Sequence, residues 1–227
     1  MVTFRRAPFY YGMATVGAAA LAIGLVALNS PTDLSDAGTR AVIFGDSWTE
    51  GFSATPHTAG YAYLLGNHFD WAYTVSGAQG TGYSNPGALG VGTYSERFDE
   101  FPIDSAVELL IIQGGLNDVD YPLLNAKEIA VEALVQAELA FPEALIVVLG
   151  PAPNVLPVWP QISAIDDALR AASSEMKLAY ISPIQDNWIN EANYSEIMDL
   201  VTKHPSERGH VYLAQRAATA IQASIAQ

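Results

Sequence analysis

Gly45-Asp46-Ser47 follows directly on the apolar run Ala41-Val42-Ile43-Phe44. A short buried strand running into such a turn lifts a serine off the strand's carboxyl end, where open α/β sheets place their sites. Ser47 is then either a nucleophile for acyl transfer or the N-cap of the next helix, since Ser and Asp are favoured caps. A serine hydroxyl is a poor nucleophile unless a general base lies in hydrogen-bond reach, and attack on a carbonyl creates an oxyanion that needs donors. The choice depends on what the rest of the chain supplies. Three other segments carry suitable residues: Val75-Ser76-Gly77-Ala78-Gln79-Gly80-Thr81-Gly82, Gly114-Gly115-Leu116-Asn117-Asp118 and His204-Pro205-Ser206-Glu207-Arg208-Gly209-His210.

These segments need strands to carry them. Short apolar runs predict strands at 41–44, 72–75, 109–112, 145–149 and 178–181, of the kind covered on both faces. Between the third and fourth, Ile129, Ala130, Ala133, Leu134 and Ala137 have helical spacing, which predicts a helix over 125–139 with Asn125 as N-cap. Helices are also predicted over 160–172 and 206–226, the latter with a capped start at Ser206. Strands separated by helices argue for a parallel sheet with helices on both faces. The stretch 76–102 contains Gly77, Gly80, Gly82, Gly87, Gly90 and Gly92 and reads as one long loop. Each of the four segments thus follows a predicted strand.

The composition bounds the function. The 227 residues are half apolar and carry a net charge of −14. Such an acidic surface is repelled by nucleic acid, and no basic stripe offsets it, so nucleic-acid binding is excluded. The chain has no cysteine, which excludes disulfides, thiolate catalysis and Cys-ligated metals. Residues 1–30 read as a separate N-terminal transmembrane anchor or signal segment. Arg5 and Arg6 precede an uncharged stretch from Ala7 to Thr32, long enough to cross a bilayer. The arginines before it and Asp33 and Asp36 after it predict an extracytoplasmic domain. The expectation is a single-pass cell-membrane protein, or a secreted one if the segment is cleaved. Residues 31–39 read as a linker and 40–227 as the folded domain.

Taken together and in order, the four segments resemble those of the SGNH (GDSL-type) hydrolase superfamily of serine esterases and lipases. The resemblance implies the SGNH hydrolase fold: a three-layer α/β/α domain around a flavodoxin-like parallel sheet of about five strands. It also implies roles. Ser47 would be the nucleophile and His204 the general base, as an imidazole titrates near neutrality. The backbone N–H groups of Ser47 and Gly77 and the side-chain amide of Asn117 would form the oxyanion hole. The expected substrate is a small-molecule, acyl-lipid or O-acylated glycan ester. The alternatives are a glycan- or lipid-binding module on the same fold, or a cell-surface acyltransferase. The family pattern needs neither cofactor nor metal.

One position departs from the family. An aspartate three residues before the histidine usually orients its ring, and here that position is Val201. Three readings stand: Asp199 reaches the imidazole through a shifted loop, a backbone carbonyl holds the ring, or the machinery is degraded. Asp199 is kept as the third member of the triad. Asp46 and Asp118 read as braces for their loops, and His57, His68 and His210 as packing or surface residues. Asp118-Val119-Asp120 lacks the remaining positions of a calcium loop. Trp48, Phe52, Tyr83 and Tyr94 either line a pocket or pack locally.

Overall fold

The computed structural model describes residues 38–225, except Leu89. The expected anchor at 1–30 and most of the 31–39 linker lie outside these residues. Among the described residues, no helix is long and apolar enough to cross a membrane.

Five strands form one parallel sheet: β1 (Arg40–Gly45), β2 (Ala72–Gly77), β3 (Leu109–Gln113), β4 (Leu145–Leu149) and β5 (Ala179–Ile181). Their order is β2-β1-β3-β4-β5, the flavodoxin-like arrangement with a switch point at β1. In β1, β3 and β4 the apolar runs are continuous because both faces are covered. Ala41, Ile43, Leu109, Ile111, Val147 and Leu149 point into one core, and Val42, Phe44, Leu110, Ile112, Ile146 and Val148 into the other. Each fully buried aliphatic side chain stabilises the fold by roughly 1.5–3 kcal/mol.

The first core is closed by α2 (Tyr61–His68) and α7 (Glu207–Ile225). The second is closed by α3 (Tyr94–Asp99), α4 (Ala126–Ala140) and much of α5 (Pro160–Glu175). Single turns form α1 (Ser47–Glu50), directly after β1, and α6 (Tyr194–Ile197), between β5 and α7. This is the three-layer α/β/α fold expected from the resemblance.

The differences from expectation have local causes. Asn125 stands at the start of α4, but its side chain caps nothing. A 3₁₀ turn at Leu123–Asn125 leads into it and leaves its backbone outside the extended region that capping needs. Residues 76–102 are not one loop: α3 interrupts them. It starts at a capping box in which Thr93 and Glu96 satisfy each other's backbone N–H groups. Ser206 does cap α7, since its Oγ accepts from Gly209 N at 3.1 Å.

Candidate active site

β1 ends at Gly45 and α1 begins at Ser47, so the serine sits at the strand-to-helix turn. The cap of that helix is Asp46, whose Oδ1 accepts from Trp48 N at 2.9 Å. Ser47 is thereby free of the capping role, and its Oγ lies 2.8 Å from His204 Nε2, 157 residues away in sequence. Asp46 is fully buried. Loss of solvation pushes its carboxyl up to about 7, against the pull of the Trp48 and Gln113 hydrogen bonds. The Gln113 side chain at the end of β3 meets the Thr49 hydroxyl at 2.7 Å, which ties α1 to the sheet.

His204 stands on the loop between α6 and α7. Its Nδ1 lies 2.7 Å from the carbonyl oxygen of Thr202. A carbonyl can only accept, so Nδ1 carries the proton and Nε2 is left as the acceptor facing Ser47. Asp199 is not the ring's partner, which corrects the expected triad. Its Oδ1 accepts from Val201 N at 2.8 Å and Thr202 N at 2.9 Å. Those backbone bonds, Thr202 first, hold its carboxyl below the usual range. Two main-chain bonds close the same loop, Asp199 N to His204 O at 2.8 Å and Lys203 N to Asp199 O at 2.9 Å. Asp199 therefore shapes the turn that presents the Thr202 carbonyl. Val201, at the family's aspartate position, is 91% exposed.

The Phe52 ring lies against His204, with centroids 4.4 Å apart. Phe52 is fixed in turn by His210, whose Nε2 donates to the Phe52 carbonyl at 3.0 Å while Nδ1 accepts from Tyr61 N at 3.1 Å. Burial draws the His210 pKa down and keeps the ring neutral. The Ser53 and Thr202 hydroxyls meet at 2.9 Å, joining the serine's loop to the histidine's.

Gly77 ends β2 beside Gly45. A Cβ there would overlap the backbone of Glu50, so only glycine lets β2 approach the helix that follows the serine. Asn117 lies in the 3₁₀ turn after β3, where its Nδ2 donates to Thr81 O at 2.9 Å and lies 3.5 Å from Asp46 Oδ2. Asp118 braces the glycine-containing loop by accepting from the N–H groups of Tyr83, Ser84 and Asn85 at 3.1, 2.7 and 3.1 Å. Burial nonetheless raises its pKa.

Beneath these groups lies Arg97 of α3, a residue that sequence reasoning missed. It is 6% exposed and donates to the carbonyls of Gly45 and Ser76 and to the hydroxyls of Thr81 and Ser76. Nothing in the sequence marks it, because an arginine on a short helix is ordinarily solvated. Of the aromatic candidates, Trp48, Tyr83 and Tyr94 are core residues, and Phe52 touches the site. The Gly150–Asn154 stretch borders a small apolar cavity lined by Trp48, Tyr61, Gly150, Ala152, Pro183 and Trp188.

Fold and site arrangement define an SGNH-type α/β/α hydrolase. The chain belongs to the GDSL-like lipase/acylhydrolase family, whose pattern matches residues 43–212. Its fold is similar to that of an M. smegmatis aryl esterase, at TM-score 0.64 and 16% identity, covering 82% of this chain and 100% of that one. It is also similar to the psychrotrophic esterase EstA from Pseudoalteromonas sp., a structure inhibited by monoethylphosphonate. That match has TM-score 0.63 and 14% identity, covering 83% of this chain and 100% of that one. A salicylyl-acyltransferase from a tetracycline biosynthetic pathway matches at TM-score 0.61 and 13% identity, covering 83% of this chain and 55% of that one. No curated protein matches the chain in sequence.

Proposed function

We propose that the chain is a serine ester hydrolase that works through a Ser47–His204 dyad completed by a main-chain carbonyl. The observation that carries this reading is the 2.8 Å contact from Ser47 Oγ to His204 Nε2, with the opposite ring nitrogen bonded to Thr202 O. Ser47 Oγ attacks the ester carbonyl carbon as His204 Nε2 takes its proton. The Nδ1–H···O=C bond keeps the ring in register and steadies the imidazolium that forms. The Ser47 and Gly77 N–H groups and the side-chain amide of Asn117 receive the oxyanion, the amide exchanging its long 3.5 Å contact with Asp46 Oδ2 for it. His204 then protonates the leaving alcohol. A water, deprotonated at the same nitrogen, releases the acid and frees Ser47. Transfer of the acyl group to another hydroxyl would use the same acyl-enzyme, and the products formed in the presence of an alcohol distinguish the two outcomes.

The chain's net charge of −14 favours neutral esters over anionic ones. The uncharged stretch 7–32 supports a membrane-tethered protein with this domain outside the cytoplasm. The test is fluorophosphonate labelling together with turnover of p-nitrophenyl acetate by the full chain. Labelling is expected in the wild type and absent in Ser47→Ala. His204→Ala should lose turnover by up to roughly 10⁶-fold, as when a protease loses its base. Label retained by Ser47→Ala would sink the proposal.

A further inference from the structure

Arg97 is buried without a carboxylate partner among its hydrogen bonds, which is costly for a guanidinium. An apolar side chain of similar volume would fill the space but leave these carbonyls and hydroxyls without the guanidinium's donors. What distinguishes Arg97 is where its donors go. Nη2 meets Ser76 O at 2.8 Å. That carbonyl belongs to the peptide unit whose N–H is Gly77's, so pinning the oxygen fixes the plane in which the Gly77 N–H points. A charged donor on the carbonyl also polarises the amide and makes its N–H a stronger donor. Nη1 meets Gly45 O at 2.9 Å and Thr81 Oγ1 at 2.8 Å. Thr81 is fully buried, and its carbonyl is the acceptor that orients the Asn117 amide at 2.9 Å. One guanidinium is therefore tied to the supports of both oxyanion donors outside the serine itself. Its carbon lies 4.0 Å from the centroid of the Phe44 ring and 5.5 Å from that of Tyr94, which hold it in place.

We infer that Arg97 is a positioning residue of the oxyanion hole, acting on Gly77 through the Ser76 carbonyl and on Asn117 through Thr81. The inference rests on the ester-hydrolase reading and adds a group that never meets the substrate. Its signature is a loss confined to the transition state. Removing one oxyanion donor outright lowers kcat by about 10²–10³, and misaiming two of them should cost a comparable or somewhat smaller factor.

The experiment compares the wild type with Arg97→Met and Arg97→Lys in the full chain. It reads kcat and KM on p-nitrophenyl acetate, and inhibition by an alkyl trifluoromethyl ketone against the matching methyl ketone. The first ketone forms an oxyanion on Ser47 and the second binds as a ground-state mimic. In Arg97→Met, kcat should fall about 10–100-fold with KM within about two-fold, and only the trifluoromethyl ketone should weaken in proportion. Arg97→Lys, which keeps the charge but cannot span both carbonyls, should lie between the two. An Arg97→Met protein with a wild-type circular dichroism spectrum, unchanged kcat and unchanged trifluoromethyl ketone affinity overturns the inference. So does an equal loss of both ketones. If Arg97→Met does not fold, the ketone pair in Arg97→Lys decides by the same criterion. A wild type that neither labels nor turns over overturns the esterase reading itself, whereas an active wild type with indifferent Arg97 variants overturns this inference alone.

Discussion

Ser47 and His204 face each other at 2.8 Å, yet they are held by different kinds of structure. Ser47 leaves the end of β1, a strand flanked on both sides, and is 6% exposed. Around it Asp46, Gln113, Arg97 and Asp118 form a buried polar floor drawn from the turn after β1, β3, α3 and the turn after β3. His204 stands on a loop that satisfies itself, with Asp199 bonded to Val201, Thr202, Lys203 and His204. Lys203 there takes a left-handed backbone, at φ 58°. Ser47 is positioned by the fold, and His204 by a short loop braced by the Phe52 ring and the Ser53–Thr202 hydroxyl contact. Damage on the first side should therefore register in stability as well as rate, and damage on the second in rate alone.

The largest expected effect is on the nucleophile side and depends on pH. The Asp46 carboxyl titrates at about 7 in the fold, against 3.8 for an unperturbed aspartate. Its contribution to stability is complete below about pH 4 and is lost as pH rises toward 7, because the unfolded chain ionises first. Asp46→Asn cannot ionise. Its stability relative to wild type should rise by on the order of 4 kcal/mol between about pH 4 and 7 and then level off. Denaturant melts across that range check it, and a flat difference would show that the carboxyl is not held protonated.

Next comes Asp118→Ala. Three backbone N–H groups lose their acceptor, at a cost of roughly 3 kcal/mol. Differential scanning calorimetry should show Tm lowered by about 6–12 °C. On the base side, Asp199→Ala should leave Tm nearly unchanged and lower kcat about 10-fold, as the Thr202 turn loosens. Asp199→Asn keeps an acceptor oxygen and should stay within about three-fold. A loss near 10⁴ in Asp199→Asn would instead mean that the carboxylate serves the ring directly, as in the Ser-His-Asp triad of serine proteases. The smallest effect is expected from Val201→Asp. The family's usual residue placed at a 91% exposed position should remain in solvent and change kcat by less than about two-fold. Steady-state kinetics on the three variants decide whether the base is held by its own loop.

The same division governs what the sequence discloses. The inner strands β1, β3 and β4 are legible because burial on both faces leaves uninterrupted apolar runs, as at Leu109–Ile112, while the half-exposed edge strands β2 and β5 leave shorter ones. Ser47, Gly77 and Asn117 are legible as positions because they lie at or just after strand ends, whereas His204 follows α6 on the loop before the last helix. Asp199 is legible as a member of the histidine's loop but not as to its partner, since spacing cannot say whether a carboxylate turns to a ring or to its own backbone. Helix α3 is hidden among glycines, although Thr93 and Glu96 mark its start. Arg97 is the hardest to read. Its role arises from carbonyls on two strands and a hydroxyl on a loop, and no local pattern encodes that convergence.

The third member of the dyad's support is the Thr202 carbonyl, a main-chain atom. Every residue type brings the same oxygen to that position. An alanine scan of this chain would accordingly report two essential residues and overlook the group that sets the tautomer of one of them. Substitution at 202 can move the carbonyl but cannot delete it. Replacing the amide after Thr202 with an ester weakens the acceptor and also removes the Lys203 N–H that bonds to Asp199 O, so it probes both main-chain contacts of the loop together.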